Sequence, residues 1–332
     1  MKKFSTTFTK LVNILNDGNY HDGTTLSSRL QISRSAVWKA IQKLEKYGIP
    51  VHAMKGKGYA LAEPLILLNQ KTIKRGIQTA NIDFTIFESI HSTNTYCVPQ
   101  PRIKNKNISI CLAETQTGGL GRLQRSWHSP FGQNIYLSCT YSFQKDVSEL
   151  SGLSLVISLA IIATLKAAGI TQSLAAKWPN DVLYNKKKLA GNLIMVQAES
   201  HGQCRAIIGT GLNVNMMHAP HAAISQSFTS LRKMTGQPFD RNRLCSLYIN
   251  TLIQYIKNFE KYGLIYFLNE WEAVDYLKNK TITLINNGNE TAGLMAGVNH
   301  LGHLIVQQKD GTLHAISAGD VKVIPHESTS PQ

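Results

Sequence analysis

Acidic side chains are scarce. Only 20 Asp and Glu stand against 35 Lys and Arg in 332 residues, a net charge of +15. An excess of this size points to a polyanionic partner without choosing between nucleic acid, an anionic membrane and phosphate ligands. Cysteine is scarce too: Cys97, Cys111, Cys139, Cys204 and Cys245 are far apart in the chain. An odd count with no close pair argues against a disulfide framework and a structural zinc site, and suits reduced thiols in a cytoplasmic protein. No protein-held metal is expected. Long apolar runs are missing. The most apolar stretch, Leu153 to Leu165, is short of a bilayer span, contains Ser154, Ser158 and Thr164, and is followed by Lys166. It reads as a buried helix, and no membrane partner is expected. Met1-Lys2-Lys3 opens the chain without the apolar core of a targeting segment. The phosphate-loop, dinucleotide-fold and zinc-hydrolase signatures are absent.

What is present begins with 43% apolar residues, enough for two or three domains with their own cores. Leu11, Ile14 and Leu15 recur at helical spacing before the turn Asn16-Asp17-Gly18-Asn19. Thr24 or Thr25 is suited to cap a short helix through Leu30. Ser33 begins a second helix that runs to Tyr47 and is ended by Gly48. The few residues between them give helix-turn-helix spacing. Val51-His52-Ala53-Met54 and Tyr59-Ala60-Leu61 then read as strands joined by Lys55-Gly56-Lys57-Gly58.

On the second helix Val37, Ile41 and Leu44 form an apolar stripe. Ser33, Arg34, Ser35, Trp38, Lys39, Gln42 and Lys43 lie mainly on other faces, as a recognition helix requires. Lys55 and Lys57 would meet phosphates from the hairpin, or wing. Up to Glu63 ten basic side chains face four acidic ones, so under a fifth of the chain holds six of the fifteen excess charges. DNA binding is the expectation; a three-helix module with a solvated basic face is the alternative. Trp38 reads equally as packing or as a base contact.

Pro64 marks a boundary. Beyond it the strands expected are Thr85 to Phe87, Ser109 to Ala113, Ile135 to Tyr141, Leu193 to Gln197 and Ala206 to Gly209. Leu150 to Ala168 and Arg241 to Lys261 are the expected helices. This mixture suggests an α/β or α+β domain around a mixed sheet. From about Asp275 short strands (Thr281 to Ile285, Glu290 to Val298, Gly302 to Gln307, Thr312 to Ser317, Val321 to Ile324) are broken by Asn287-Gly288 and Asp310-Gly311 turns. They read as a small β-barrel, followed by a frayed tail.

Five stretches in the middle carry candidate chemistry. Glu114 to Trp127 mixes glycine and arginine: Gly118, Gly119 and Gly121 allow close backbone approach, Arg122 and Arg125 fork onto phosphate or carboxylate, and Trp127 could cover a base. A surface loop is its plainer reading. Lys177-Trp178-Pro179-Asn180-Asp181 places two polar groups after a stiff Trp-Pro pair at a strand end; Lys188-Leu189-Ala190-Gly191 places a lysine before small residues. Lys188 is either a pocket cation or a surface lysine of a basic turn. Gly209 to Asn215 reads as a strand that breaks on glycines and ends in amides. Ser92-Thr93-Asn94 follows a strand and reads alone as a hydrogen-bonded turn.

Taken in order, these pieces resemble one family, the biotin protein ligases that also carry a repressor domain. Ser92-Thr93-Asn94, the Gly119 to Trp127 loop with Ser129-Pro130-Phe131-Gly132, Lys177 to Asp181, Lys188 to Gly191 and Gly211-Leu212-Asn213 all match. The resemblance covers about residues 10–325. It implies an α+β multidomain chain. A winged helix-turn-helix DNA-binding domain would span 1–63, a mixed α/β catalytic domain of the biotin/lipoate ligase type 64–273, and an SH3-like β-barrel 274–326, with a tail at 327–332. It further implies that biotin carboxylate attacks ATP, with Mg2+, to give biotinyl-5′-AMP. A lysine of the biotin carboxyl carrier protein of acetyl-CoA carboxylase then attacks the mixed anhydride. Bound adenylate would promote a homodimer on operator DNA.

The implied catalytic groups are Lys188 and Arg122. Ser92, Thr93, Asn94, Gln116, Gly119, Leu120, Gly121, Gly191 and Leu193 would join them around biotin. Arg125, Trp127, Lys177, Asn180, Asp181 and Asn213 would line the adenylate side, although Asn180 and Asp181 also suit strand-end caps. The loop departs from the family's Gly-Arg-Gly-Arg-Arg-Gly-Arg at Leu120, Leu123 and Gln124, and His91 replaces its acid. Three other readings stay open. One is a ligand-sensing regulator without ligase activity, which retained Lys188 and Arg122 disfavour. The others are a ligase whose front domain has lost DNA binding, and a lipoate-attaching enzyme.

Overall fold

A computed structural model describes residues 6–99, 108–199, 203–220, 226–286, 289–317 and 319–323. The Asn287-Gly288 turn and the tail lie outside these residues, as do the ends of the chain at Met1-Lys2-Lys3 and Ile324. The elements run α1 (Thr6–Leu15), α2 (Gly23–Leu30), α3 (Arg34–Lys46), β1 (Val51–Met54), β2 (Gly58–Leu61), α4 (Gln70–Arg75), β3 (Asp83–Phe87), α5 (Thr93–Cys97), β4 (Ile108–Ala113), β5 (Ile135–Phe143), α6 (Leu153–Ala167), β6 (Ala175–Lys177), β7 (Asp181–Tyr184), β8 (Lys187–Glu199), β9 (Gln203–Leu212), α7 (Leu231–Thr235), α8 (Arg241–Tyr262), α9 (Leu268–Val274), β10 (Thr281–Asn286), β11 (Asn289–Val298), β12 (Leu304–Gln307), β13 (Leu313–Ile316) and β14 (Asp320–Val323).

The first three helices bury Leu11, Leu15, Leu26, Val37, Ile41 and Leu44 together, and β1 and β2 pair antiparallel beside them. Helix α2 is capped by Asp22, not by Thr24 or Thr25; its carboxylate accepts from both of their amides. Ser33 caps α3 by accepting from the Ala36 amide. Gly58 has φ 102, and a Cβ there would lie 2.0 Å from the His21 carbonyl oxygen, so the close approach of wing and α2 entry requires glycine. Trp38 is 55% exposed. Arg34, Ser35, Lys39, Lys55 and Lys57 are exposed with it.

Lys43 is the correction on this helix. It points away from that face and pairs with Glu88, a fully buried carboxylate just beyond β3. Tyr47 donates to the same carboxylate over 2.8 Å and stacks on Phe131 at 4.3 Å between centroids. Burial and Glu88 push the Tyr47 phenol up, which keeps it a donor. Leu65 and Leu67, past the Pro64 boundary, pack into the same cluster as Phe131. The helical domain and the middle domain therefore share a core and a buried charge.

The middle domain is a seven-stranded mixed sheet in the order β3-β4-β5-β9-β8-β7-β6, parallel only between β3 and β4. The apolar stretch from Leu153 is the core helix α6, buried along almost its whole length. α6 and α8 cover one face of the sheet. The reading of strands at Leu193 to Gln197 and Ala206 to Gly209 was too short. They are the long hairpin β8–β9, paired from Ala190–Leu212 to Glu199–Gln203. β9 does not break on its glycines; Gly209 and Gly211 stay in register with β5 and β8. The strand end expected at Lys177 is that of β6; β7 was not anticipated, because a four-residue strand carries little periodicity.

All five cysteines are free and buried. Burial pushes the Cys245 thiol up to about 12, while hydrogen bonding with Cys97 and burial raise that of Cys111. The last strands form a five-stranded antiparallel sheet, β13-β12-β11-β10-β14. The buried Trp178 indole donates to the Gly302 carbonyl over 2.9 Å and ties this sheet to the middle domain.

Candidate active site

A cavity of about 660 Å³ opens between α5, the glycine-arginine loop, the β6–β7 turn and the β8–β9 strands. It is lined by Ser92, Thr93, Asn94, Gln116, Leu120, Gly121, Arg122, Arg125, Trp127, Lys177, Asn180, Asp181, Lys188, Gly191, Leu193 and Asn213. Every site residue expected around biotin or the adenylate is there except Gly119. That glycine lies behind the wall. A Cβ on it would sit 2.6 Å from the Trp127 carbonyl oxygen, so it permits the loop's fold rather than touching a ligand.

One end of the cavity is neutral and hydrogen-bonding. Ser92, Thr93 and Asn94 form the cap and first turn of α5, not an isolated turn. Gln116 Oε1 accepts from the Thr93 amide at 2.9 Å and from its hydroxyl at 3.1 Å. Asn94 donates to the Leu193 carbonyl at 3.0 Å and accepts from Ser138 at 2.6 Å. A Cβ on Gly209 would fall 2.2 Å from the Asn94 amide, so the bare backbone of β9 makes room for that side chain. These groups suit a neutral polar head with donors and acceptors of its own.

The other end is cationic. The Lys188 ammonium lies 2.8 Å from Asp181 Oδ1 and 5.3 Å from the centre of the Trp127 indole. Its backbone is held by the Ser227 carbonyl and the Thr229 amide. Asn213 donates to the carbonyls of Thr229 and Lys188, so it fixes Lys188 as well as lining the wall. Asn180 donates to the Asn192 carbonyl at 2.6 Å, which joins the β6–β7 turn to β8 in the capping role. Arg122 and Arg125 stand on a short 3₁₀ turn. There Leu123 and Gln124 take φ 52 and 57, the left-handed backbone that glycine adopts at least cost. Leu123 is 65% exposed and outside the cavity.

Several lining residues were not singled out: His128, Asn192, Met216, Gln226, Phe228 and Val321 among them. Val321 comes from the C-terminal sheet, a contribution no local motif announces. Gly211 was readable in its motif, and its reason is now geometric. A Cβ there would lie 2.3 Å from the Trp127 indole. Gly211→Ala should push that ring off the wall and weaken nucleotide binding by about tenfold or more, because ångström shifts of positioning groups cost that much. Calorimetric titration with an ATP analogue checks it, and unchanged affinity would refute it.

The fold and cavity define a class: a helix-turn-helix domain joined to an enzyme domain that sets a neutral recognition end against a cationic one. Residues 86–215 match the biotin/lipoate A/B protein ligase family, and residues 8–60 match an HTH domain. The chain is 34% identical to the bifunctional ligase/repressor BirA of Escherichia coli (strain K12), covering 95% of this chain and 96% of that protein. It is 32% identical to the protein of the same name from Bacillus subtilis (strain 168), over 66% and 68%. The fold resembles the biotin protein ligase from Aquifex aeolicus in complex with biotin and ATP, with a TM-score of 0.61 and 22% identity over 73% of this chain and 98% of that one. The chain belongs to the biotin/lipoate A/B protein ligase family, in its bifunctional ligase/repressor branch.

Proposed function

We propose that this protein activates biotin with ATP to biotinyl-5′-AMP and transfers it to a lysine of the biotin carboxyl carrier protein of acetyl-CoA carboxylase. We propose also that it represses transcription through its helix-turn-helix domain. One observation carries the enzyme reading: Ser92–Asn94, Arg122 and Lys188, distant in sequence, line one cavity. The first step brings a carboxylate against a triphosphate. Cations must offset that repulsion and the charge growing on the phosphate. Lys188, aimed by Asp181 and Asn213, and Arg122 supply them. The α5 turn and Gln116 suit the ureido head of biotin; Arg125, Trp127, Lys177 and Asn180 suit the nucleotide. Mg2+ would come with ATP and rest on its phosphates. Among the described residues no cluster of His, Cys, Asp and Glu forms a metal cage, and the cavity's carboxylate, Asp181, is taken by Lys188.

The finer parts of this reading are domain limits at 1–63, 64–273 and 274–326, and an SH3-like C-terminal sheet. They also include a cytoplasmic location and a homodimer promoted by biotinyl-AMP on operator DNA. Ser33, Arg34, Ser35, Trp38, Lys39, Lys55 and Lys57 form its DNA face, without Lys43. Incubation with biotin, MgATP and a carrier domain should add one biotinyl mass to the carrier. Operator DNA should shift in a gel more strongly with biotin and ATP than without. No added mass defeats the ligase reading; no shift under either condition defeats the repressor.

A further inference from the structure

Transfer of biotin from the adenylate to a lysine has a proton requirement that the groups named so far do not meet. The acceptor amine enters as an ammonium at neutral pH. A bond forms from its nitrogen to the biotin carbonyl carbon, the carbon–oxygen bond to phosphate breaks, and AMP leaves with that electron pair. Two protons leave the nitrogen on the way to the amide: the second passes to the departing phosphate oxygen of AMP, but the first must go to a base before the lone pair can attack. Arg122, Arg125, Lys177 and Lys188 line the cavity as cations, and Asp181 is bound to Lys188 at 2.8 Å. Among the described residues one further ionisable side chain lines it: His128.

We propose that His128 is the base that takes this proton, a reading that rests on the ligase function above. His128 stands in the cavity lining next to Trp127 and makes no side-chain hydrogen bond among the described residues. The backbone on both sides is pinned: the Trp127 amide donates to Gly119 O at 2.8 Å, and the Thr115 hydroxyl donates to Ser129 O at 2.6 Å. Half-burial holds the imidazole below its ordinary pKa, so it is neutral and able to accept a proton at neutral pH.

The test is single-turnover transfer from preformed biotinyl-5′-AMP to a carrier domain, across pH 5–9, with the full chain. Wild-type transfer should be flat through neutral pH and fall on the acid side as His128 takes up its proton. His128→Gln and the size-preserving His128→Phe should transfer about a hundredfold or more slower at pH 7, the usual contribution of a positioned base. Their rates should instead climb with pH, because only amine already deprotonated reacts. Wild-type rates and an unchanged profile in both variants overturn the proposal. So does an equal loss in adenylate formation, which would make His128 a binding group. No transfer by the wild-type protein sinks the ligase reading itself.

Discussion

Lys188→Ala should lower biotinyl-adenylate formation by about 10²–10³-fold, the loss typical when one preorganised group facing developing charge is removed. The effect should fall on the rate of the step more than on biotin binding, because the neutral end of the cavity is built by α5 and Gln116. Lys188→Arg should recover only part, since a planar guanidinium does not reproduce the single point of charge that Asp181 aims. Pyrophosphate exchange measures the step directly. A Lys188→Ala rate within a few-fold of wild type would remove Lys188 from the chemistry. It would leave the lysine as a partner of Asp181 and nothing more.

Arg241→Met should destabilise the fold by about 3–5 kcal/mol, the range for breaking a buried ion pair from one side. Arg241 and Glu114 are 1% and 0% exposed and meet at 2.7 Å. The guanidinium also donates to the Asn134 and Ile66 carbonyls at 3.0 and 2.7 Å. Glu114 accepts from the Leu68 amide, so the pair fastens the segment after Pro64 to β4 and α8. Adding Glu114→Gln should return part of the loss by removing the stranded charge. Denaturant unfolding of the two single variants and the double one gives the coupling. Simple additivity would show that the two residues do not act as a pair.

The elements read with most security were those whose apolar pattern repeats often enough to be heard. Helix α3 shows its stripe at Val37, Ile41 and Leu44, and α6 is apolar all round because it is buried all round. The strands of the C-terminal sheet were legible from their turns, as at Gly311, whose φ is 86. Strand lengths were less legible, since glycine is a breaker by local propensity but not where neighbours need bare backbone. Gly209 and Gly211 stay in β9 because Asn94 and Trp127 occupy the space their side chains would take. Lys43 was misplaced for a related reason. On one helix it is a basic residue among others, and only the arrival of Glu88 from another domain gives it a partner.

The order of the motifs, the chemical types they carry and the helical and strand periodicities are properties of the chain itself, and they determined the class of fold and the candidate residues. Which of those residues meet, which merely support and which face solvent was decided by packing. Gly119 fell behind the wall, Asn213 became a brace for Lys188, and Val321 reached the cavity from a sheet formed by the last part of the chain. Such outcomes depend on contacts between segments far apart in sequence. No local pattern encodes a distance between them.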